Sequence, residues 1–335
     1  MAERPPAEAV RLMNGFRGYQ LAVAACKLQL PDLVAKGCHD VHSLAAMTKT
    51  HEGSLRRVLR GLASWGFFTE DGDGGFLPTA ISDAFRADRP GLRNTTMMLS
   101  EEAYHTWADV LYTLETGSPA FERRYGKPRW EMLAESPEAS RDFNAAMVEV
   151  TRRVAAEFLA AYDFDGVDTV ADIAGGTGAL LSAILVAHPH VHGILFDLPA
   201  GVVEAPAAMK AAGVADRVTI VEGSFFDPVP AGADLYLLKS IIHDWDDEPA
   251  TAILKSCAAV MEKHARLVLI ERDMPEHATP DALSTLMSDL NMMVVLGGRE
   301  RTDDEYAALL ADAGLRFTRA ISMRSDWHAI EAMRA

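Results

Sequence analysis

The sequence predicts an α/β fold with a seven-stranded, mainly parallel sheet, preceded by a helical module. From residue 169 onward, short apolar strands alternate with helices, an arrangement that pairs strands in parallel through right-handed crossovers. The first strand leads directly into a glycine-rich turn, a feature of sheets that bind ligands at their strand ends. Only a short loop joins residues 317–321 to residues 327–331, so we expect the last two strands to be antiparallel.

The elements of this sheet follow one another along the chain. Strands are expected at residues 169–173, 193–196, 218–221, 235–239, 267–271, 317–321 and 327–331. Helices are expected near residues 179–187, 202–212, 249–261, 282–295 and 303–312. Residues 101–165 also have a helical pattern, so we divide the chain into three parts, at residues 1–100, 101–165 and 166–335.

The first 100 residues predict a winged-helix module. Residues 41–46 and 54–62 have the pattern of a helix-turn-helix. Residues 67–70 and 76–78 flank the turn Asp71-Gly72-Asp73-Gly74-Gly75, and both the turn residues and the flanking aromatics indicate a β-hairpin. Two helices followed by a hairpin are the order of a winged helix.

Two roles are open for this module. Arg56, Arg57 and Arg60 on its second helix suggest DNA binding, but the net charge of −16 opposes binding to a phosphate backbone. The N-terminal helices are apolar and short of partners within their own module. We therefore favour a dimerisation platform and expect a homodimer with no nucleic-acid partner.

The composition excludes several other classes of protein. No apolar run approaches the roughly 18 residues that a membrane span needs, and the start of the chain has no signal-peptide core. We interpret the three scattered cysteines as reduced thiols of a cytoplasmic protein. The alternating His188, His190 and His192 suggest a solvated loop rather than a metal site, and we expect no metal.

The glycine-rich turn is the first candidate ligand site. It reads Asp172-Ile173-Ala174-Gly175-Gly176-Thr177-Gly178, and the helix behind it offers free backbone N–H groups. The next strand ends in Asp197, 19 residues after Gly178, where an acid reaches a ribose hydroxyl in nucleotide-binding folds. Leu181 stands where a dinucleotide fingerprint needs its third glycine. The turn therefore favours a nucleoside without a pyrophosphate.

Polar side chains also follow the other strands. Glu271 ends the fifth strand, and His243 lies within Ile242-His243-Asp244-Trp245 after the fourth. Imidazole titrates near neutrality, so His243 is a candidate general base, with a carboxylate on its other nitrogen to fix its orientation. The alternative is a loop histidine that only caps the following helix.

Four motifs in one order make the pattern specific. They are Asp172-x-x-Gly-Gly-x-Gly, Gly223-x-Phe-Phe, His243-Asp244-Trp245-x-Asp247-Glu248 and Gly297-Gly298-Arg299-Glu300-Arg301-Thr302. With the winged helix, they resemble the S-adenosylmethionine-dependent O-methyltransferases of the plant caffeate type and their bacterial natural-product relatives. The resemblance covers essentially the whole chain. It implies a winged-helix dimerisation domain over residues 1–100, a connector that contributes to the acceptor pocket, and a Rossmann-like class I methyltransferase domain over residues 166–335.

The resemblance implies S-adenosylmethionine as the cofactor and S-adenosylhomocysteine as its product. It assigns the cofactor to Asp172, Gly175, Gly176, Gly178, Asp197, Leu198, Ser224, Phe225 and Lys239. Two positions depart from the family pattern. Ala174 stands where many members have a glycine, and Ser224 stands where many have an aspartate that bonds to adenine. Whether Ser224 or Asp227 makes that contact therefore stays open.

The resemblance also assigns the reacting groups. His243 matches the general base on the substrate hydroxyl, Glu271 and Glu300 match two glutamates that flank it, and Asp244 matches an acid beside the hydroxyl. The residues assigned to an aromatic small-molecule acceptor are Trp107, Phe143, Met147, Asp289, Met292 and Met293.

Two alternatives to methyl transfer remain open at this stage. Some bacterial relatives keep the cofactor but hydroxylate or decarboxylate polyketides, although the intact set of His243, Glu271 and Glu300 favours methyl transfer. The second alternative is a winged-helix regulator with a nucleoside-sensing domain. We therefore expect an O-methyltransferase that acts on a phenol, a phenazine or a polyketide.

Overall fold

A computed structural model describes residues 5–335. The chain forms two compact units, Met1–Glu101 and Glu102–Ala335. The finer division of the second unit at residue 165 stays a prediction.

The first unit is the winged helix that the sequence predicted. Strands Phe68–Glu70 (β1) and Phe76–Pro78 (β2) pair in an antiparallel hairpin. Leu44, Leu59 and Phe76 are buried in one core between the helices and this hairpin. The helices of this unit are Ala7–Met13 (α1), Gly15–Lys27 (α2), Leu30–Ala35 (α3), Val41–Thr48 (α4), Glu52–Ser64 (α5), Ala80–Asp83 (α6) and Arg93–Met98 (α7).

Side-chain caps fix the two helices of the helix-turn-helix. The Asp40 carboxylate accepts a hydrogen bond from the Ser43 N–H at the start of α4, at 2.8 Å. His51 Nδ1 accepts one from the Ser54 N–H at the start of α5, at 3.2 Å. Each cap satisfies a backbone donor that the first helical turn leaves free, so both helices begin where the sequence pattern changes.

The second unit is built on a twisted sheet. In the described part of the chain it has seven strands in the order β5-β4-β3-β6-β7-β9-β8. The five strands from β3 to β7 pair in parallel, and β9 is antiparallel to both β7 and β8. These findings confirm the predicted sheet. Its strands are Thr169–Ile173 (β3), His192–Asp197 (β4), Val218–Glu222 (β5), Leu235–Lys239 (β6), Arg266–Arg272 (β7), Leu315–Ser322 (β8) and Trp327–Arg334 (β9).

Helices precede the sheet and cover both of its faces. One face packs around Phe158, Leu181 and Leu195, and the other packs around Ile253, Tyr236 and similar buried side chains. The helices are Tyr104–Thr106 (α8), Val110–Thr116 (α9), Ala120–Tyr125 (α10), Arg129–Glu135 (α11), Pro137–Ala161 (α12), Ala179–Ala187 (α13), Pro199–Val202 (α14), Ala205–Ala212 (α15), Asp247–Val260 (α16), Leu283–Val295 (α17) and Asp303–Asp312 (α18).

One predicted helix is wrong in its extent. The sequence pattern predicted a single helix over residues 202–212, but the chain forms α14 and α15, with a break at Val203 and Glu204. Pro206 stands in the first turn of α15. A proline fits the first turn of a helix but cannot donate the backbone hydrogen bond that an interior position requires, so a new helix begins there.

Among the described residues, no helix combines the length and the apolar character that crossing a membrane requires.

Candidate active site

The glycine turn takes left-handed backbone conformations at three positions. Ala174 has φ +56°, Gly176 has φ +58° and Gly178 has φ +79°. A Cβ atom at Gly178 would lie 1.9 Å from Met209 Cε, so a side chain there would also displace the end of the Met209 side chain. At Ala174 the alanine side chain is held in a conformation that favours glycine, which costs strain. The position where the sequence departs from the family pattern therefore has a left-handed backbone.

Asp197 fixes the turn from the end of the neighbouring strand. Its Oδ2 accepts the Gly176 N–H at 2.7 Å, and its Oδ1 accepts the Leu198 N–H at 2.6 Å. Burial raises the pKa of Asp197, although these two N–H groups oppose the shift. The carboxylate is therefore held at the carboxyl end of β4, beside the glycine turn.

A cavity of about 340 Å³ opens at these strand ends. The predicted cofactor residues Asp172, Gly175, Gly176, Asp197, Leu198, Ser224, Phe225 and Lys239 all line it. So do Phe143 and Met147 of α12, Asp244, and Trp245 of the His243-Asp244-Trp245 motif. Residues that the sequence did not single out also line it, including Trp130, Leu133, Asn144 and Ser240. One cavity thus joins the glycine turn to the helices before the sheet.

The carboxylate of Asp172 suits this cavity to a cationic ligand. Asp172 is 2% exposed, and its Oδ2 has no hydrogen-bond partner. Burial raises its pKa to about 7; Lys239 opposes the shift and Asp197 adds to it. A buried acceptor without a partner is costly unless a ligand satisfies it. S-adenosylmethionine carries positive charge on its sulfur and its amino group, so the residues present fit this cofactor.

His243 lies among three carboxylates next to the cavity. Its Nδ1 is 2.9 Å from Glu300 Oε1 and 3.7 Å from Glu271 Oε2, and its Nε2 is 3.4 Å from Asp244 Oδ1. Burial by itself lowers the pKa of His243, but the three carboxylates outweigh it and raise the pKa to about 10. A proton on Nδ1 is thus held by Glu300, and Nε2 is the nitrogen on the side of Asp244.

The two glutamates have different partners. Glu300 Oε1 also accepts the Ser288 hydroxyl at 2.7 Å, and its backbone N–H donates to Asp289 Oδ1 at 2.9 Å. Glu271 Oε1 accepts the N–H groups of Ile241 and Ile242, at 3.0 and 2.9 Å. Glu300 therefore bonds to the imidazole directly, whereas Glu271 bonds to the backbone next to it.

The Gly-Gly-Arg-Glu-Arg-Thr motif packs against the His243 loop, residues 240–246. A Cβ atom at Gly298 would lie 2.1 Å from the backbone oxygen of His243. Arg301, with a side chain that is 0% exposed, donates to the carbonyls of Ile242 and Trp245 at 3.1 and 2.9 Å. It also donates to the Asp247 carboxylate at 2.7 Å. The motif therefore holds the backbone on both sides of His243.

Two cationic side chains, Lys239 and Arg129, act on the carboxylates of the site. Lys239 Nζ donates to Ser240 Oγ at 3.0 Å, and burial lowers its pKa against the opposing effect of Glu271 and Asp172. Burial raises the pKa of Asp244 to about 6, while His243 and Arg129 act in the opposite direction. The carboxyl groups of Asp172 and Asp244 therefore titrate much closer to neutrality than exposed ones do.

Four residues assigned to the acceptor are not among those lining the cavity. They are Trp107, Asp289, Met292 and Met293. Trp107 Nε1 donates to Asn291 Oδ1 at 3.1 Å, and Asp289 holds the Glu300 backbone. Their contact with an acceptor stays a prediction. Trp130 and Leu133 were missed because short helices between turns give no clear periodicity, although the tryptophan itself is a signal for an aromatic ligand.

Comparisons with known proteins agree with this geometry. A family model described as an O-methyltransferase domain matches residues 104–316. The chain belongs to this O-methyltransferase family. A second model, described as an O-methyltransferase dimerisation domain, matches residues 10–88.

Similar proteins cover almost all of this O-methyltransferase. The phenazine O-methyltransferase PhzM of Lysobacter antibioticus is 40% identical over 96% of this chain and 94% of its own. The crystal structure of LaPhzM has a TM-score of 0.93 and 39% identity, covering 99% of this chain and 100% of its own. A third relative is the O-methyltransferase NcsB1 from neocarzinostatin biosynthesis, solved in complex with S-adenosylmethionine and 2-hydroxy-5-methyl naphthoic acid. Its structure has a TM-score of 0.82 and 32% identity, covering 95% of this chain and 96% of its own.

The enzyme class follows from these relationships. The protein is an S-adenosylmethionine-dependent O-methyltransferase of the aromatic natural-product type.

Proposed function

We propose that this enzyme methylates a hydroxyl group on a flat aromatic ring, with His243 as the general base. The observation that supports this proposal is the position of His243, whose Nδ1 is engaged by Glu300 while Nε2 lies next to the cavity residue Asp244. Phe143 and Met147 offer apolar lining for an aromatic acceptor on the same cavity.

S-adenosylmethionine supplies an electrophilic methyl group when it is bound. Asp172, Asp197 and the glycine turn would hold it, and the chain's remaining task is to orient and deprotonate the acceptor. A phenol has a pKa of ~10, so little phenolate is present at neutral pH. In its unprotonated form, the imidazole of His243 is basic enough to take that proton because its pKa is raised, and Glu300 stabilises the resulting imidazolium.

We also propose that the enzyme works as a homodimer joined through its first unit, with no nucleic-acid partner. The match to a dimerisation domain over residues 10–88 supports the homodimer. The net charge of −16 opposes binding to nucleic acid.

The proposed reaction is tested by incubating the enzyme with labelled S-adenosylmethionine and a panel of aromatic hydroxyl compounds. We expect label in a product that has gained one CH₂ unit. A product that instead gains oxygen or loses CO₂ would support the alternative of hydroxylation or decarboxylation. Transfer of the label to no member of the panel would contradict the proposed acceptor class.

The base assignment is tested separately with His243→Gln. Removal of a general base typically lowers the rate by ~10²–10⁴. We expect turnover to fall by this factor while S-adenosylhomocysteine still binds, because the cofactor residues are unchanged. His264→Gln is a matched control, since His264 is exposed and pairs with Asp234 away from the cavity. Undiminished turnover of His243→Gln would exclude it as the base.

A further inference from the structure

Arg129 is a buried cation whose charge no neighbouring side chain neutralises. It is the first residue of α11 and is 7% exposed. Its Nε has no hydrogen-bond partner, and no salt bridge from residues 5–335 engages its guanidinium. Burial lowers the pKa of Arg129, and the carboxylates of Asp244 and Glu102 oppose that effect from beyond ion-pair distance.

The guanidinium of the other deeply buried arginine at this site, Arg301, has its hydrogen-bond partners within the chain. Arg301 donates hydrogen bonds to two backbone carbonyls and to the Asp247 carboxylate. An arginine buried without such partners is costly unless something else satisfies it. The contrast indicates that the partner of Arg129 is not part of the folded chain.

Arg129 adjoins the cavity through two rings that line it, although Arg129 itself is not among the lining residues. Its guanidinium lies over the Phe143 ring at 5.1 Å from the ring centre, and 6.0 Å from that of Trp130. Both rings line the cavity, and they meet edge to face at 5.5 Å. Asp244, which acts electrostatically on Arg129, lines the same cavity beside His243.

We propose that Arg129 binds a carboxylate on the aromatic ring of the acceptor, so that the enzyme selects aromatic hydroxy acids. This inference rests on the proposed function of the cavity as the acceptor site. A guanidinium binds a carboxylate with two parallel hydrogen bonds, and the flanking rings of Phe143 and Trp130 suit a flat aromatic acid. The nearby Asp244 carboxylate opposes a doubly charged phosphate, which favours the singly charged group.

Binding of a matched pair of probes tests the proposal without any turnover. The probes are 3-hydroxy-2-naphthoate and its uncharged amide, 3-hydroxy-2-naphthamide, titrated by calorimetry into the enzyme saturated with S-adenosylhomocysteine. We expect wild type to bind the acid at least about tenfold more tightly than the amide, as a hydrogen-bonded charge pair implies. Arg129→Met should remove this preference and leave the affinity for the amide within about twofold.

Arg123→Met is the control, because Arg123 lies exposed on the adjacent helix α10 and contacts only the Tyr112 ring among the interactions described. It should keep the full preference for the acid. Arg129→Lys keeps the charge but loses the planar fork, so we expect an intermediate preference. If Arg129→Met does not fold, the lysine variant and the wild-type comparison of acid with amide decide the question.

Two results would overturn the proposal: equal affinity of wild type for acid and amide, or an unchanged preference in Arg129→Met. Failure of the proposed function gives a different result. In that case both probes bind with the expected preference, but neither receives a methyl group in the labelling assay.

Discussion

His243 and its three carboxylates determine how the site responds to pH. Burial alone would lower the pKa of His243, but Glu300, Glu271 and Asp244 together raise it to about 10. A general base must be unprotonated to act, so kcat/KM should rise with pH through a pKa far above the ordinary ~6.5 of histidine. Profiles measured from about pH 6 to pH 10 will check this. A plateau that is already reached at neutral pH would contradict it.

The variant Glu300→Gln tests whether the carboxylates raise the pKa of His243. Glu300 has the largest electrostatic effect raising the pKa of His243, and its glutamine keeps the shape and one hydrogen-bonding oxygen. The rising limb of the profile should therefore move to lower pH. Asp281→Asn removes an acid that is exposed and does not line the cavity, and its profile should match that of wild type.

Motifs in the sequence were enough to predict the residues around His243 but not their individual partners. His243, Glu271 and Glu300 do come together, because parallel strand ends and the segment after α17 meet at one edge. The bonds from Glu271 to the N–H groups of Ile241 and Ile242 depend on a left-handed backbone at Ser240, φ +56°, which no residue pattern marks. From the sequence, Arg129 looks like an ordinary polar residue in the first turn of a helix, so its burial was not predictable either.

At the scale of elements, the segment Gly297–Thr302 acts as a support for the loop that holds His243. Gly298→Ala should distort that loop, because the added Cβ would lie 2.1 Å from the His243 oxygen and 2.4 Å from the Asp244 carbonyl carbon. Both are backbone atoms, which cannot move aside cheaply. We expect a loss of turnover of at least about 100-fold and a lower Tm, consistent with overpacking costs of ~1–3 kcal/mol.

A glycine in open space provides the control for this prediction. A Cβ atom at Gly72, in the turn of the hairpin, would meet nothing within 4 Å. Gly72→Ala should therefore keep both turnover and Tm. Wild-type turnover in Gly298→Ala, measured beside this control, would show that the close approach is not needed.

Strands were easier to predict than the helices before the sheet. β3 and β6 are almost entirely buried, and their short apolar runs between turns mark both ends. The boundary between α14 and α15 depends on a proline whose position in a first turn becomes clear only from the structure. The order of strands in the sheet arises from tertiary packing, so the sequence predicted its parallel character but not its full order.

At the scale of the whole molecule, the apolar surface of the first unit predicts how two chains associate. Leu12 is 83% exposed and Phe16 is 55% exposed, at the end of α1 and the start of α2. Exposed apolar groups of this kind commonly mark an interface. The double variant Leu12→Glu/Phe16→Glu should therefore be monomeric by light scattering, whereas wild type should have twice the mass of one chain.

Val186→Glu is the matched control, because Val186 is 60% exposed on α13 of the second unit. It should remain dimeric. A wild-type protein that scatters as a monomer, or a double variant that stays dimeric, would contradict the assignment of these helices to the interface.

The carboxyl group of Asp172, whose Oδ2 has no hydrogen-bond partner, links cofactor binding to proton exchange with the solvent. Because burial raises its pKa to about 7, Asp172 of the empty site binds a proton much more readily near neutral pH than an exposed aspartate does. A positively charged cofactor favours the ionised form, so its binding expels that proton. The affinity for S-adenosylmethionine should consequently increase as the pH rises towards 7, while the uncharged sulfur of S-adenosylhomocysteine makes the product less sensitive. A rise from acid to neutral pH therefore favours retention of the methyl donor over its spent product.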